Sequence, residues 1–142
     1  MSAVIRLGYV HLRVTDLEEA RNHYSNTLGM EVVQEEQGKL YLKCWDEWDH
    51  HSLVLEEGGV GLVKFGYKVE SDDDLASFEK RAQSFGATTS RVSAGENLKV
   101  GEAVAYLCRG ASLCIHLGSR MFFISQSSHT AVLSYCGCAS QP

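Results

Sequence analysis

The chain has 142 residues, of which 44% are hydrophobic and 22% charged, and its formal net charge is −5. That balance suits a folded domain, or two small modules sharing a core, and is too apolar for a disordered segment. The negative charge argues against a nucleic-acid or anionic-membrane surface. No apolar run approaches a membrane span, and Met1 to Arg6 lack a secretory pattern. No nucleic-acid partner, no membrane partner and a cytoplasmic location are therefore expected.

The first strand signal is Gly8 to Val14, where Val10, Leu12 and Val14 alternate with other positions onto one face. Thr15-Asp16-Leu17-Glu18 has the spacing of a capping box, with Thr15 as the cap. Leu17, Ala20, Tyr24 and Leu28 follow at helical spacing, and Gly29 is placed to end the helix. Strands are predicted near Glu31 to Glu36, Lys39 to Trp45 and His51 to Glu56, with Gln37-Gly38 as a tight turn between the first two.

The same plan then restarts. Leu62 to Val69 reads as a strand and Ser71-Asp72-Asp73-Asp74 as a second cap. Leu75, Phe78, Ala82 and Phe85 form a helical stripe that Gly86 closes. Val14 matches Val69, Leu17 matches Leu75 and Gly29 matches Gly86, an offset of 55 to 58 residues. Such self-similarity indicates an internal duplication. The fold class expected is α+β, built from two tandem β-α-β-β-β modules of which the second is incomplete. Residues 1–58 form the first module, 59–105 the start of the second, and 106–142 an anomalous tail.

Two stretches go beyond periodicity. Leu7 to Leu17, continuing through His23-Tyr24 and Leu28-Gly29-Met30, resembles the opening module of the vicinal oxygen chelate (glyoxalase-like) superfamily. More specific is Tyr41 to Leu55, which includes Trp45-Asp46-Glu47-Trp48-Asp49-His50-His51 and resembles the matching stretch of catechol 2,3-dioxygenases. Gly66 to Ser71, the helix to Gly86 and Ala94-Gly95-Glu96 continue the match, which covers roughly residues 5 to 104.

The resemblance implies an enzyme of about twice this length, with four such modules in two domains. In that family the first domain supports structure and assembly. The second holds a ferrous ion, Fe(II), on two histidines and a glutamate, binds catechol, and cleaves it with dioxygen to 2-hydroxymuconic semialdehyde. Such a ligand set leaves open positions for substrate and oxygen. By this resemblance the chain is the non-catalytic amino-terminal part, inactive alone. Catechols are the small-molecule partners of the parental enzyme, and a homo-oligomer is an open expectation.

No catalytic, cofactor-binding or metal-binding residue is assigned, and none of the family's Fe(II) is expected to bind here. The metal-histidine position of an active module falls on Tyr9, and its counterpart in the second module lies near Lys64. The carboxylate would come from the last strand of the second module, yet all 18 acidic residues lie at or before Glu102. The six histidines are expected to be structural. His50 and His51, if on a strand, point to opposite faces and form a surface or interface pair near the tryptophans. His11 shares a strand face with Tyr9 and is expected to be hydrogen-bonded; His23 packs or faces solvent; His116 and His129 lie in the tail.

The cysteines add no site. Cys44 is expected to be a buried small hydrophobe, and Cys136-Gly-Cys138 lacks the four ligands of a structural zinc. With Cys108 and Cys114 they put four of the five cysteines in the last quarter of the chain, where there is also no acidic residue after Glu102 and the chain's single proline stands at Pro142. An odd cysteine count argues against a disulfide framework. Asp72 to Asp74 suits a helix start rather than a calcium loop, and Gly58-Gly59 a turn between modules.

Residues 104–116 carry none of the motifs that end the second module in the resembling enzymes. A shift of reading frame near codon 105 is the simplest account; a natural truncation and a diverged but folded ending, with Leu113 to Leu117 as a strand, are the alternatives. Poor solubility is expected for the chain alone. Two other functions stay open. One is a stand-alone aromatic-ligand-binding protein whose cup is lined by Tyr9, His11, Tyr41, Trp45 and Tyr67; the other is a glyoxalase-like metalloenzyme with a site between chains.

Overall fold

The computed structural model describes the backbone of residues 4–108, 111–117 and 121–125 and the side chains of residues 4–105. The side chains of the tail histidines and cysteines, and the apolar side chains beyond residue 105, lie outside these.

The first module runs β1 (Val4–Val14), α1 (Leu17–Asn22), a π-helical turn (His23–Thr27), β2 (Glu31–Glu36), β3 (Lys39–Lys43) and β4 (Leu53–Glu57). The second runs β5 (Gly61–Val69), α2 (Asp72–Ser84), β6 (Thr88–Val92), β7 (Ala103–Cys108) and β8 (Ala111–Leu117), and is followed by β9 (Met121–Ser125). All strands join one mixed sheet in the order β2-β3-β4-β1-β5-β8-β9-β7-β6, with β8 also paired to β7 and β9 to β5. In each module the first strand runs parallel to the last, β1 to β4 and β5 to β8. The two first strands meet antiparallel at the centre.

The central ladder exposes the duplication. Tyr9 pairs with Gly66, Val10 with Phe65 and His11 with Lys64. An offset of 55 residues, the value separating Val14 from Val69, places Tyr9 on Lys64, Val10 on Phe65 and His11 on Gly66. Val10 therefore faces its own repeat mate, and Tyr9 and His11 each face the mate of the other, as a local two-fold axis through the Val10–Phe65 pair requires.

The turn and cap residues explain why the elements stop where they do. Gln37 (φ 52°) and Gly38 (φ 72°) both adopt left-handed conformations, the geometry of a hairpin turn that follows strand twist. Gly29 (φ 73°) and Gly86 (φ 79°) end the two helical segments in the same region of conformational space. Ser71 Oγ accepts from the Asp74 backbone N–H at 3.2 Å, as the second cap requires.

Four local expectations are corrected. The first helix is capped by Asp16, not Thr15: Asp16 is extended, and its Oδ1 accepts from Glu19 N–H at 2.8 Å. Both residue types cap well, so the spacing alone left a one-residue ambiguity. Leu28 is exposed, because the helix widens into the π-turn and Leu28 N–H bonds to His23 O, five residues back; that shift moves it off the stripe kept by Leu17, Ala20 and Tyr24. Phe85 leaves its stripe as the C-cap residue and is 86% exposed. The third strand ends at Lys43, so Cys44 is exposed rather than buried. Strand β6 had no distinct sequence signal.

Helix α1 covers a layer of leucines, Leu40, Leu42, Leu53 and Leu55, from β3 and β4, with Val10, Leu12, Val14, Leu17, Ala20 and Tyr24 packed around them. Burying each such leucine contributes about 1.5–3 kcal/mol. Helix α2 seals Val69, Leu75 and Val104, with Tyr67 and Phe78 alongside. The opposite face of the sheet carries a third cluster, Tyr9, Val54, Val100 and Ala103, and that face holds the candidate site.

Candidate functional site

Alternation along β1 puts Tyr9 and His11 on one face of the sheet. The same face receives Lys64 from β5, Tyr41 from β3 and Val54 from β4, and the loop between β6 and β7 folds over it with Gly95, Glu96, Asn97 and Leu98. Two backbone bonds brace that loop, Gly95 N–H to Val100 O at 2.8 Å and Val100 N–H to Asn97 O at 3.1 Å, and Val100 is buried beneath it. The β2–β3 hairpin adds Glu36, Gln37 and Lys39, and the result is a cup of about 240 Å³.

His51 forms one wall. Its ring centroid lies 5.0 Å from that of Tyr9 and 5.0 Å from that of Tyr41. It sits in the loop before β4 rather than on a strand, so the opposite-face expectation for His50 and His51 does not apply. Their Nδ1 atoms approach to 3.1 Å, and His51 is only 3% exposed. The surface-pair reading of His51 is thereby corrected: tertiary contact with two tyrosines buries it. His11 is also buried, at 4% exposure, and its Nε2 lies 2.9 Å from Glu56 Oε2. The two groups are at ion-pair distance but poorly aligned, so Nε2 makes no well-directed hydrogen bond to protein.

Burial dominates the electrostatics. It pushes His11 down to about 4, helped by the Lys64 ammonium and opposed by Glu56. It pushes His51 down to about 4 as well, helped by neighbouring His50. Both imidazoles are neutral at pH 7. Burial, then Glu36 and Glu56, raises the Tyr41 hydroxyl, which stays protonated. Lys64 Nζ donates to Asn97 Oδ1 at 2.5 Å.

The residues of this cup do not fit a divalent metal. The Lys64 ammonium opposes a second positive charge beside His11. Among the described residues, no three His, Cys, Asp or Glu side chains group closely enough to hold an ion. Of the five residues expected to line the cup, Tyr9, His11 and Tyr41 do so. Tyr67 instead packs under α2, and Trp45 stands outside on another loop. His51, Lys39 and Asn97 complete the lining and were not legible as such. His23 is exposed, edge-on to Tyr24.

That other loop, between β3 and β4, is held by ion pairs across the sheet. Arg6 bonds Glu47 at 2.7 Å and also Asp49, and Lys68 bonds Asp49 at 2.6 Å. The pairs fix a turn that leaves Trp45 91% and Trp48 99% exposed. Among the described residues no helix is long and apolar enough to cross a membrane.

Comparison with known proteins bears on the whole sheet. Residues 64–108 match the family described as the catechol 2,3-dioxygenase-like N-terminal domain. The chain is 38% identical over 105 residues to a metapyrocatechase of Pseudomonas sp. (strain CF600), covering 72% of this chain and 34% of that protein. It is 22% identical over 104 residues to a manganese-dependent 2,3-dihydroxybiphenyl 1,2-dioxygenase of Geobacillus genomosp. 3, covering 72% of this chain and 33% of that one. Among solved structures, it is similar to homoprotocatechuate 2,3-dioxygenase of Brevibacterium fuscum in complex with 3,4-dihydroxyphenylacetate. The TM-score is 0.68 and the identity 32%, over 74% of this chain and 33% of that one. The chain spans about a third of the length of these relatives, which as a group are metal-dependent and act on catechol-type rings. Over about three quarters of its own length, then, this chain is similar in sequence and fold to extradiol ring-cleaving dioxygenases, and residues 64–108 within it match a catechol 2,3-dioxygenase-like N-terminal domain.

Proposed function

We propose that the chain is the amino-terminal, non-catalytic part of an extradiol dioxygenase that converts catechol and dioxygen to 2-hydroxymuconic semialdehyde, and that it is inactive by itself. The observation that carries this reading is the misfit of the cup to a metal ion. Where an active module needs ligands, this chain has Tyr9 and Lys64, and the neighbouring His11 is held neutral beside an ammonium group. The ferrous ion, and the catechol with it, would belong to the part of the enzyme that this chain does not match. Its own role is to present the sheet on which that part is assembled.

Residues 106–142 stand apart in this proposal as a tail outside the dioxygenase pattern. The family match ends at residue 108, within three residues of that boundary. The chain, supplied with Fe(II) and catechol under air, should give no yellow semialdehyde. Turnover by the purified chain alone, retained on replacing Lys64 and lost on replacing His11, would instead place a working centre in this cup and overturn the reading.

A further inference from the structure

The loop between β3 and β4 holds two indoles almost wholly in water, Trp45 at 91% and Trp48 at 99% exposure, and yet it is braced throughout. Glu47 N–H donates to Cys44 O at 3.1 Å, which closes a turn around Trp45 and Asp46. The Glu47 carboxylate accepts from Arg6 Nη1 and Nη2 at 3.0 and 2.7 Å, and from the Asp49 backbone N–H at 3.0 Å. Lys68 Nζ in turn lies 2.6 Å from both oxygens of Asp49. Holding two tryptophans outward in this way does nothing for the core. It pre-orders a surface, and an occupant of that surface need not supply the ordering.

The lining of that surface sets the chemistry of its occupant. Trp45, Asp46, Glu47 and Trp48 form a groove of about 420 Å³, within the roughly 300–1,000 Å³ of small-molecule sites. Among the described residues no ring and no cation lies over either indole. The lining holds two carboxylates and no cation. Arg6 neutralises Glu47, whereas Asp46 has no ion-pair partner among the described residues. One uncompensated negative charge therefore stands beside two open π-faces.

We propose that this groove binds a free quaternary ammonium ion, its methyl groups against Trp45 and Trp48 and its charge beside Asp46. An indole face attracts a cation through its ring quadrupole, more strongly than the other aromatic side chains do. A tetraalkylated nitrogen exploits that attraction because it has no N–H to leave unsatisfied and spreads its charge over the methyl groups that touch the rings. A primary ammonium is strongly hydrated and brings three donors that one free carboxylate cannot satisfy. A hard metal ion needs several oxygen ligands where a single carboxylate is free. A neutral apolar molecule gains nothing from Asp46, and an anion is repelled by it. The site lies on a different loop from the cup and is independent of the dioxygenase reading, since it needs neither a metal nor the rest of an enzyme.

Ligand-observed NMR on the folded 142-residue chain tests it, with choline, its uncharged isostere 3,3-dimethylbutan-1-ol, and ethanolamine titrated separately. Choline should bind about tenfold more tightly than either of the others, and its methyl resonance should move upfield under the indole ring currents. Trp45→Ser and Trp48→Ser should each weaken choline about threefold or more. Phe85→Ser removes an exposed ring at the end of α2, outside the groove, and should leave choline binding unchanged. Far-UV circular dichroism establishes that each variant is folded. Asp46→Asn should weaken choline and not its isostere, and added salt should act with the same selectivity. Equal binding of choline and the isostere overturns the proposal and reduces the loop to an apolar patch. So does choline binding that survives loss of both tryptophans, or a folded chain that binds no choline. Retention of the chain on phosphatidylcholine vesicles without competition by free choline would assign the loop to a lipid surface instead. A dimer held through this loop that choline does not dissociate would assign it to a second copy, and either result sinks the proposal.

Discussion

The two modules share a backbone plan and differ in what fills it. In the first, α1 seals four leucines, Leu40, Leu42, Leu53 and Leu55, none more than 7% exposed. In the second, the buried residues under α2 that the structure describes are Val69, Leu75 and Val104. On the other face, the positions related by the local two-fold carry Tyr9 and His11 in one module and Lys64 and Gly66 in the other. The duplication kept its turns and helix ends, which are set by backbone geometry, and let the side chains at the centre of the sheet diverge. A symmetric scaffold has thereby become an asymmetric cup.

The largest test of this comparison is in the cores. Leu55→Ala and Leu75→Ala should each cost about 2–5 kcal/mol, measured by urea unfolding, with the same single transition in both. The modules are joined by the β1–β5 ladder, so a variant that melted one module while the other stayed folded would break the idea of one cooperative sheet.

The next effect is specific to the cup. Burial lowers His11 and His51 to about 4 from an ordinary 6.5, so the unfolded chain takes up protons at a higher pH than the folded one. The histidine contribution is complete above pH 6.5 and is lost as pH falls from there toward 4, on the order of 3 kcal/mol per histidine. Urea midpoints between pH 7 and 4 should fall accordingly, and a flat profile would place both rings in water.

Smaller effects separate the helix starts. Asp16→Ala and Ser71→Ala should each cost about 1 kcal/mol by removing the side-chain acceptor from a first-turn N–H. Thr15→Ala should change stability by less than about 0.5 kcal/mol. An equal loss at Thr15 and Asp16 would restore the capping box that the spacing suggested. Smallest in stability are Trp45→Ser and Trp48→Ser, expected within about 0.5 kcal/mol of wild type. Their effect should show in light scattering, as reduced self-association of a chain that otherwise exposes two indoles.

Much of the scaffold was legible because it rests on local chemistry. Gln37-Gly38, Gly29, Gly86 and Ser71 each announce a backbone conformation, and all four adopt it. What was illegible depends on partners distant in sequence. Cys44 and Trp45 looked like the end of a strand, but Arg6 and Lys68 draw Glu47 and Asp49 into a turn that takes both outward. His51 is followed by polar Ser52 and preceded by two charged or imidazole residues, and nothing nearby signals burial; Tyr9 and Tyr41, far off in the chain, supply it. Leu28 was misplaced because a period of 3.6 holds only while the helix stays α, and one wider turn changes the phase.

The exposed loop also governs how this protein looks to light. Its two tryptophans are the only ones in the chain, and both already stand in water in the folded state. Their emission should lie near the red limit before any denaturant is added and shift little during unfolding, so the most common optical probe of folding is blind to this core. The tyrosines around the cup are buried or half-buried, and their near-ultraviolet signal should be the one that disappears when the sheet comes apart.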